Sequence, residues 1–259
     1  MDTTLQDLKL VRGIAYFDPF DAAGAKTGGF DFGEVTDAGL TPTVDSVKAF
    51  SSRGGLLQEI RNVATKITRE GTLSVTNISV QNSAWFVVGN IIDITQATAP
   101  VVDEAITVKQ GRWYQLGDAA NNGTGVINVA SVVVQDVTDT TTYVAGTDYE
   151  LDAANGRIRI ISAGGIGDGD VLHVDYTPGT NSWQQIQTST AQISGELTII
   201  QNNADGSNDR HVYPSVTLQG NGEMKTISSQ DEYISMSFNI GINQKDANTP
   251  AMLINGQAA

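Results

Sequence analysis

Few residues of this chain could carry out nucleophilic, acid–base or metal chemistry. The sequence contains two histidines, His173 and His211, and no cysteine. The lack of cysteine excludes thiolate catalysis, disulfides and cysteine zinc sites. His173 alternates out of phase with the apolar residues of the run VLHVDY, so we expect it to face solvent or a partner. His211 has no neighbour at the spacing of a local metal motif, and we expect neither histidine to act as a ligand or base.

The carboxylates offer one arrangement that resembles an enzyme site. Asp148, Glu150 and Asp152 alternate along one predicted strand face, and a pair of carboxylates is what a glycosidase uses. A solvated strand face explains the same alternation, and we prefer that interpretation. The acidic loops 152–156 and 167–170 lack the spacing of a calcium loop, and no glycine-rich phosphate loop precedes a helix. The sequence therefore predicts no enzyme, no cofactor and no metal.

The aromatic residues keep a binding function open as the alternative. Trp113, Tyr114, Tyr143 and Trp183 lie in predicted β regions, where they could form a platform for a sugar ring. The seven Phe, seven Tyr and three Trp of the chain are also an ordinary supply for a protein core. The alternative function is a surface or secreted β-domain module that binds carbohydrate.

The net charge excludes a protein that grips nucleic acid. The 259 residues include 15 Lys and Arg against 29 Asp and Glu, a formal charge of −14. A nucleic-acid clamp needs a basic surface that releases counterions from phosphates. The N-terminal sequence lacks the apolar run of a signal peptide, and no apolar stretch approaches the roughly 20 residues that span a bilayer. We therefore expect a protein made in the cytoplasm that makes no membrane contact.

The elements that must position these residues are almost all strands. Residues 234–242 alternate apolar with small or polar side chains, the period of two of a half-buried strand. Asn155–Gly156 separates the strand-like runs YELDA and RIRII and is a strong hairpin signal. Pro214 places another strand at a sheet edge or a bulge. Further strands are expected at 10–17, 73–77, 126–135, 141–151, 157–161, 171–176 and 191–200. The predicted fold class is all-β.

One short helix is expected among the strands, in the run SVQNSAWFVV at residues 79–88. Ser79 is its expected N-cap, and Gly89 is the expected left-handed residue after its C-terminus. Trp85 and Val88 belong to the apolar side of this helix. We expect Ser79, Trp85 and Val88 to define a helix that packs on a sheet.

Charge is distributed unevenly and divides the chain. Residues 101–178 hold 11 acidic and 4 basic residues, a net charge of −7, and have their own succession of strands and turns. We predict a small β domain inserted at 101–178 into a discontinuous core domain formed by 1–100 and 179–259. Residues 48–70 are basic, with a net charge of +3 from Lys48, Arg53, Arg61, Lys66 and Arg69 against Glu59 and Glu70.

Seven segments carry a resemblance to a known family through their order along the chain. They are RGIAYFDPFDAAGAKTGGFDFGEVT (12–36), KAFSSRGGLLQEIRNVATKITREGTLSVTNIS (48–79), SVQNSAWFVVGN (79–90), EAITVKQGRWYQLG (104–117), TTYVAGTDYELDAANGRIRII (141–161), GDGDVLHVDYT (167–177) and DEYISMSFNIGI (231–242). In this order they resemble the major tail tube protein of long-tailed, siphovirus-type bacteriophages. The second segment resembles the family's long loop followed by a strand, the third its short helix and the last its terminal sheet strand. The fourth, fifth and sixth segments resemble an insertion found in a subset of the family.

The resemblance implies a β-sandwich or half-barrel core with one short flanking helix, and an inserted β domain on the outer surface. It implies a structural virion protein whose six copies close into a ring. Such rings stack into the hollow tail tube through which double-stranded DNA passes without specific binding. The implied partners are further copies of the chain, the tape measure protein, the tail terminator and distal tail proteins. The implied localisation is the virion tail, with the host cytoplasm as the place of assembly.

The resemblance also gives the charged segments a role. The family's long loop reaches the next ring, which implies an inter-ring contact for Lys48, Arg53, Arg61, Lys66 and Arg69 with acidic residues of the neighbouring copies. The overall acidity has two explanations that the sequence leaves open. An acidic lumen would repel passing DNA, and the same charge would also keep the protein in solution.

Overall fold

The computed structural model describes residues 8–119, 122–229 and 233–257 of the chain. Strands make up 56% of the protein and helix 3%, which confirms the all-β class with one short helix. In chain order the elements are β1 (Gly13–Pro19), β2 (Phe30–Asp31), β3 (Val35–Ser51), β4 (Gln58–Val75), α1 (Val80–Phe86), β5 (Gly89–Gln96), β6 (Val101–Thr107), β7 (Trp113–Gln115), β8 (Val129–Asp136), β9 (Thr142–Tyr143), β10 (Tyr149–Asp152), β11 (Arg157–Ile160), β12 (Val171–Pro178), β13 (Asn181–Thr188), β14 (Ile193–Gln201), β15 (Asn208–Asn221), β16 (Met236–Ile242) and β17 (Leu253–Gln257). Within the described ranges, no helix is long and apolar enough to cross a membrane.

The chain folds into two compact units. Unit 1 comprises the described residues of Met1–Ile91 and Ile186–Ala259, and unit 2 comprises those of Ile92–Gln185. The segment 101–178, which the sequence analysis assigned to an inserted domain, lies within unit 2. β5 and β13 pair with each other. The chain passes from unit 1 to unit 2 within β5 and returns to unit 1 within β13.

Unit 1 is built on one eight-stranded sheet. Its strand order is β2-β1-β14-β15-β16-β4-β3, and β17 pairs with the first half of β15. The buried residues of this unit form one cluster, whose largest members are Phe17, Phe32, Leu73, Trp85, Tyr213 and Phe238. In β16 the alternating residues Met236, Phe238, Ile240 and Ile242 are buried, which confirms the predicted period of two. Burial of this alternate set against the core is what fixes the register of the strand.

One expectation for the end of the chain needs correction. The resemblance made the segment 231–242 the last sheet strand, but β17 follows β16 and joins the same sheet. Asp231 and Glu232 of that segment lie outside the described residues, as does the N-terminal start Met1–Asp7 that was inspected for a signal peptide.

Pro214 does not lie on an edge strand. β15 is inside the sheet, with β14 on one side and β16 and β17 on the other. The register between β14 and β15 shifts so that Gly195 faces Val216 and Leu197 faces Tyr213. Pro214 therefore lies in a bulge, where its missing N–H removes no regular ladder bond. Of the two predicted alternatives, the bulge is confirmed.

The helix α1 begins as predicted and ends differently. Ser79 is the N-cap, and its Oγ accepts a hydrogen bond from the Asn82 N–H at 3.0 Å. The expected left-handed residue, Gly89, is already part of β5, and Val88 takes the positive φ of 55° instead. Trp85 is buried against the sheet, whereas Val88 is half-buried and follows the C-terminus of the helix.

Unit 2 contains two further sheets with a core of their own. The order of one is β10-β11-β7 and of the other β6-β12-β8-β9. The predicted hairpin is confirmed, because β10 pairs with β11 from Tyr149 opposite Ile160 to Asp152 opposite Arg157, around a turn in which Gly156 has φ 64°. The expected single strand at 141–151 is instead β9 and β10, separated by a turn in which Gly146 has φ 84°. The buried core residues are Val108, Leu116, Val129, Val134, Tyr149, Ile158, Ile160, Ile166, Leu172, Val174 and Tyr176.

Candidate assembly surface

The basic segment is part of a long β-hairpin rather than a loop. β3 and β4 pair from Val35 opposite Val75 out to Ser51 opposite Gln58, and only residues 52–57 form the turn. The expected loop is therefore wrong, because β-branched residues on both sides favour strand pairing and Gly54–Gly55 supplies the reversal. Gly55 has φ 77°, which favours glycine.

The outer part of this hairpin extends beyond the sheet. β16 pairs with β4 only from Glu70 to Val75, so among the described strands β3 and β4 pair only with each other over residues 42–69. We call residues 42–69 the arm. At about 3.3 Å per residue, its β3 strand from Pro42 to Ser51 extends roughly 33 Å.

The arm exposes large apolar side chains along its whole length. Eight of them are between 45% and 76% exposed, namely Val44, Val47, Phe50, Leu56, Leu57, Ile60, Val63 and Ile67. Full burial of one such side chain contributes about 1.5–3 kcal/mol. A contiguous set of this size on one element is typical of a surface that a partner covers.

Both faces of the arm carry these residues. Val44 lies opposite Ile67, and Val47 lies opposite Val63. Because side chains alternate between the faces of a strand, residues 44 and 47 point to opposite sides. A two-stranded ribbon with both faces in solvent is marginally stable in water. A surface that covered the arm would therefore stabilise it.

The predicted basic site residues are all on or beside the arm. Lys48 forms an ion pair with Glu59 at 3.0 Å between two strongly exposed side chains, a contact worth well under about 1 kcal/mol. In the part of the chain that the structure describes, no ion pair involves any of the other four, Arg53, Arg61, Lys66 and Arg69. Arg53 lies in the turn, and Arg69 is half-buried at the base of the arm. These cations remain available to an acidic partner.

The sheet of unit 1 leaves hydrogen-bonding groups open at its edges. β3 is at one end of the strand order and, within the described residues, pairs only with β4. At the other end β2 is two residues long and pairs only with Tyr16 and Phe17 of β1. Pro42, which lacks an N–H, lies on the β3 edge as expected for an edge strand. Unpaired edge groups favour the addition of a strand from another chain.

A cavity of about 410 Å³ opens on unit 1 beside the base of the hairpin. Its walls are mostly apolar and include Ile14, Leu40, Leu197, Ile199, Ile240 and Met252. His211 lines it too, with its ring stacked on Tyr213 at 6.4 Å between centroids and its Nε2 3.2 Å from Gln201 Nε2. The structure thus places His211 in a mainly apolar wall.

The alternating carboxylates of unit 2 have structural partners. Asp148 accepts hydrogen bonds from the N–H groups of Val144 and Gly165, and these bonds lower its pKa. Glu150 and Asp152 form ion pairs with Arg159 and Arg157 at 3.1 and 2.8 Å. The Asn155 side chain, and then Arg157, lower the pKa of Asp152. Each of the three carboxylates therefore organises a turn or a strand pair.

The four aromatic residues of the carbohydrate alternative do not meet. Ring contacts of the described residues join none of Trp113, Tyr114, Tyr143 and Trp183 to another of the set. Trp113 is partly exposed, with the Arg157 guanidinium 4.7 Å from its ring centre. The Tyr114 hydroxyl accepts a hydrogen bond from the Lys109 N–H at 2.6 Å.

The apolar residues of the arm were missed by the sequence analysis, which noted only its charges. The sequence does contain a sign of an apolar surface, because Val, Ile, Leu and Phe recur between charged residues from 44 to 67. They were not recognised as an exposed strand surface because residues 44–67 show no alternation with a period of two.

A comparison with family models matches residues 9–209, a range that includes the arm, α1 and all of unit 2. The matching family is described as "Protein of unknown function UCP028589". No curated protein matches the chain. The match covers most of the sequence, and the chain therefore belongs to the UCP028589 family.

Proposed function

We propose that the protein is a structural virion component that polymerises, as stacked hexameric rings, into the hollow tail tube of a long-tailed bacteriophage. In this role the work is done by surfaces that bind further copies of the chain, and no catalysis is required. Double-stranded DNA passes along the tube, and the tape measure, tail terminator and distal tail proteins are further partners that the family resemblance implies.

The observation that carries the proposal is the arm. Eight large apolar side chains exposed on both faces of one ribbon are costly for a protein that stays a monomer. A second copy of the chain is the occupant that we propose, because charge favours it. The arm has a net charge of +3, from five basic residues against Asp45 and Glu59, so the rest of the chain carries −17 (−14 − 3). Attraction between the arm of one copy and the body of the next follows from this difference.

A tube needs contacts within each ring and contacts between rings. The sheet edges of unit 1 suit the first kind, and the arm suits the second. Edge groups of β3, and of β1 beside the short β2, can pair between neighbouring copies in a ring. The arm extends roughly 33 Å from the sheet, which is long enough to reach a copy in the adjacent ring. A contact that repeats along an axis without closing produces a filament.

Unit 2 belongs on the outer surface of the proposed tube. Its segment 101–178 has a net charge of −7 and its own core, so it needs no cover from the tube. A unit of this size inside the bore would obstruct passing DNA. The acidic residues of unit 1 that face the bore would repel the phosphates.

Sedimentation velocity over a range of protein concentrations tests the proposal. We expect the wild-type chain to shift from a monomer to large assemblies as concentration rises. The double variant Leu56→Ser with Leu57→Ser removes two of the most exposed apolar side chains of the arm, and we expect it to remain monomeric.

The matched control is Val137→Ser with Val144→Ser, which changes two exposed apolar residues of unit 2. We expect this control to assemble like the wild type. A wild-type chain that is a monomer at every concentration, together with saturable binding to a glycan array, would reject the tube and favour the carbohydrate alternative.

A further inference from the structure

Three ligand-type side chains converge on one point of unit 2. Asp103, Asp139 and His173 each bring one ligand atom to within 4.8 Å of the others. The His173 Nδ1 atom is 2.8 Å from the Asp139 Oδ1 atom and 3.8 Å from the Asp103 Oδ1 atom. The His173 side chain is 20% exposed, and both carboxylates reach solvent. A ligand role for His173 was not expected from the sequence, because the residue has no companion at the spacing of a local metal motif.

The sheet of unit 2 creates this convergence. His173 is in the central strand β12, where it lies opposite Ala105 of β6 on one side and Gln135 of β8 on the other. Asp103 belongs to β6, and Asp139 belongs to the turn that joins β8 to β9. Neighbouring strands are about 4.8 Å apart, so side chains from three adjacent segments can contact one bound ion.

The backbone at both aspartates is fixed by bonds that do not involve their own carboxylates, and the Asp139 carboxylate is hydrogen-bonded to the His173 ring. The Asp103 N–H donates to Asp175 Oδ1 at 2.8 Å. The Asp139 N–H donates to the Asp136 carbonyl at 3.0 Å, and the Asp139 carbonyl accepts from the Gln135 side chain at 3.3 Å. These bonds position the backbone of both aspartates with groups that take no part in coordination, as the outer contacts of metal sites do.

The charge at this point is not balanced by a basic side chain. Among the described residues, no Lys or Arg forms an ion pair with Asp103 or Asp139. The two carboxylates carry a formal charge of −2, which a divalent cation would neutralise. One nitrogen and two carboxylate oxygens suit Zn²⁺, Mn²⁺ or Co²⁺, whereas Mg²⁺ and Ca²⁺ prefer oxygen ligands alone.

We propose that Asp103, Asp139 and His173 bind a divalent first-row transition metal ion. The three side chains occupy three coordination positions and leave at least one for water. The bound ion links β6, β12 and the β8–β9 turn, so it stabilises unit 2 by mass action. All three ligands come from one unit of one chain, and the site forms without assembly.

Titration of the full chain with metal, after treatment with a chelator, tests the site. We expect calorimetry at slightly alkaline pH to show saturable binding of one Zn²⁺ per chain and thermal unfolding to shift to higher temperature. Co²⁺ should give a visible absorption spectrum that titrates to the same stoichiometry. Mg²⁺ at the same concentration should give neither signal. A wild-type chain with no saturable Zn²⁺ or Co²⁺ binding would overturn the proposal, since the hydrogen bond between His173 and Asp139 would then account for their short contact.

Variants identify the ligands. We expect His173→Gln to weaken Zn²⁺ binding by roughly tenfold or more, and Asp103→Asn and Asp139→Asn to do the same. His211→Gln and Asp118→Asn are the matched controls, one residue from the wall of the unit 1 cavity and one exposed residue of unit 2. Circular dichroism in the presence of chelator checks that each variant folds. The assignment would be overturned if the Zn²⁺ affinity were unchanged in His173→Gln and in both aspartate variants. It would also be overturned if the controls lost as much Zn²⁺ affinity as these variants.

Discussion

At the scale of single residues, aspartates of unit 2 hold its turns. Asp136 accepts hydrogen bonds from the N–H groups of Thr140 and Thr141 at 2.9 and 3.2 Å. The Thr141 bond is the largest cause of a strongly lowered Asp136 pKa. The pKa values of Asp148 and Asp152 are lowered as well, first by the Val144 N–H and by the Asn155 side chain respectively. In all three cases the folded state favours the ionised carboxylate.

Acid should therefore destabilise unit 2. A carboxyl whose pKa is lowered by folding contributes stability above its unfolded pKa of about 3.9, and this contribution is lost as the pH falls through the folded pKa. We expect unit 2 to lose stability progressively below about pH 4. In a Trp85→Phe chain, the fluorescence of Trp113 and Trp183 can follow this transition. Asp136→Asn should be less stable at neutral pH and less sensitive to acid, and unit 2 stability that does not change on acidification would contradict the account.

Trp85 is the central residue of the contact between α1 and the sheet. It is 4% exposed, and its ring lies 5.0 Å from Phe17 and 5.3 Å from Phe32 between centroids. We expect Trp85→Ala to lower the free energy of unfolding of unit 1 by about 3–5 kcal/mol in urea titrations. Trp113→Ala is the control, because Trp113 is 44% exposed, and should cost only about 1 kcal/mol. Equal losses in the two variants would show that burial at Trp85 is not what stabilises the helix contact.

At the scale of elements, the arm stands apart because its two strands pair only with each other among the described strands. Lys48 pairs with Glu59 within it, whereas Arg53, Arg61, Lys66 and eight large apolar side chains are exposed. Steering between oppositely charged surfaces raises association rates and weakens with added salt, because the screening length is about 10 Å at 0.1 M. An arm that binds the acidic body of another copy should show both effects.

Reversal of charge on the arm tests this contact. We expect Arg61→Glu with Lys66→Glu to slow assembly by roughly tenfold or more, with the rate measured by light scattering. The wild-type rate should fall with added salt, and the rate of the variant should not. Lys109→Glu with Arg112→Glu makes the same change of charge in unit 2 and serves as the control. If both double variants assemble at the wild-type rate, the basic residues of the arm do not contribute to the contact.

The elements that were predicted correctly depend on local signals. The Asn155–Gly156 turn, the alternation of β16 and the Ser79 cap each follow from residues close together in sequence. The arm was expected to be a loop because its segment resembles the family's long loop. Over residues 42–69 the apolar residues lie on both faces, so no alternation of apolar and polar residues indicates strands there. The cluster at His173 depends on strand pairing across 34 and 70 residues, which spacing along the chain cannot indicate.

At the scale of the whole molecule, the charge of −14 is spread over two folded units, and unit 1 includes the basic arm. Unit 1 contains the exposed arm, whereas unit 2 has its own core and ion pairs for Glu150 and Asp152. The largest set of exposed apolar side chains on one element therefore belongs to unit 1. This asymmetry is what a polymer with unit 1 in its wall and unit 2 outside requires.

Electron microscopy of the concentrated, purified chain tests the central claim most directly. The account predicts rings about 100 Å across, a size expected for six small β domains in a circle, with an open centre and stacking into tubes. Class averages of end-on views should have six-fold symmetry, and the Leu56→Ser with Leu57→Ser variant should give no tubes. Compact single particles without rings, at concentrations where light scattering from the chain no longer changes, would contradict the account.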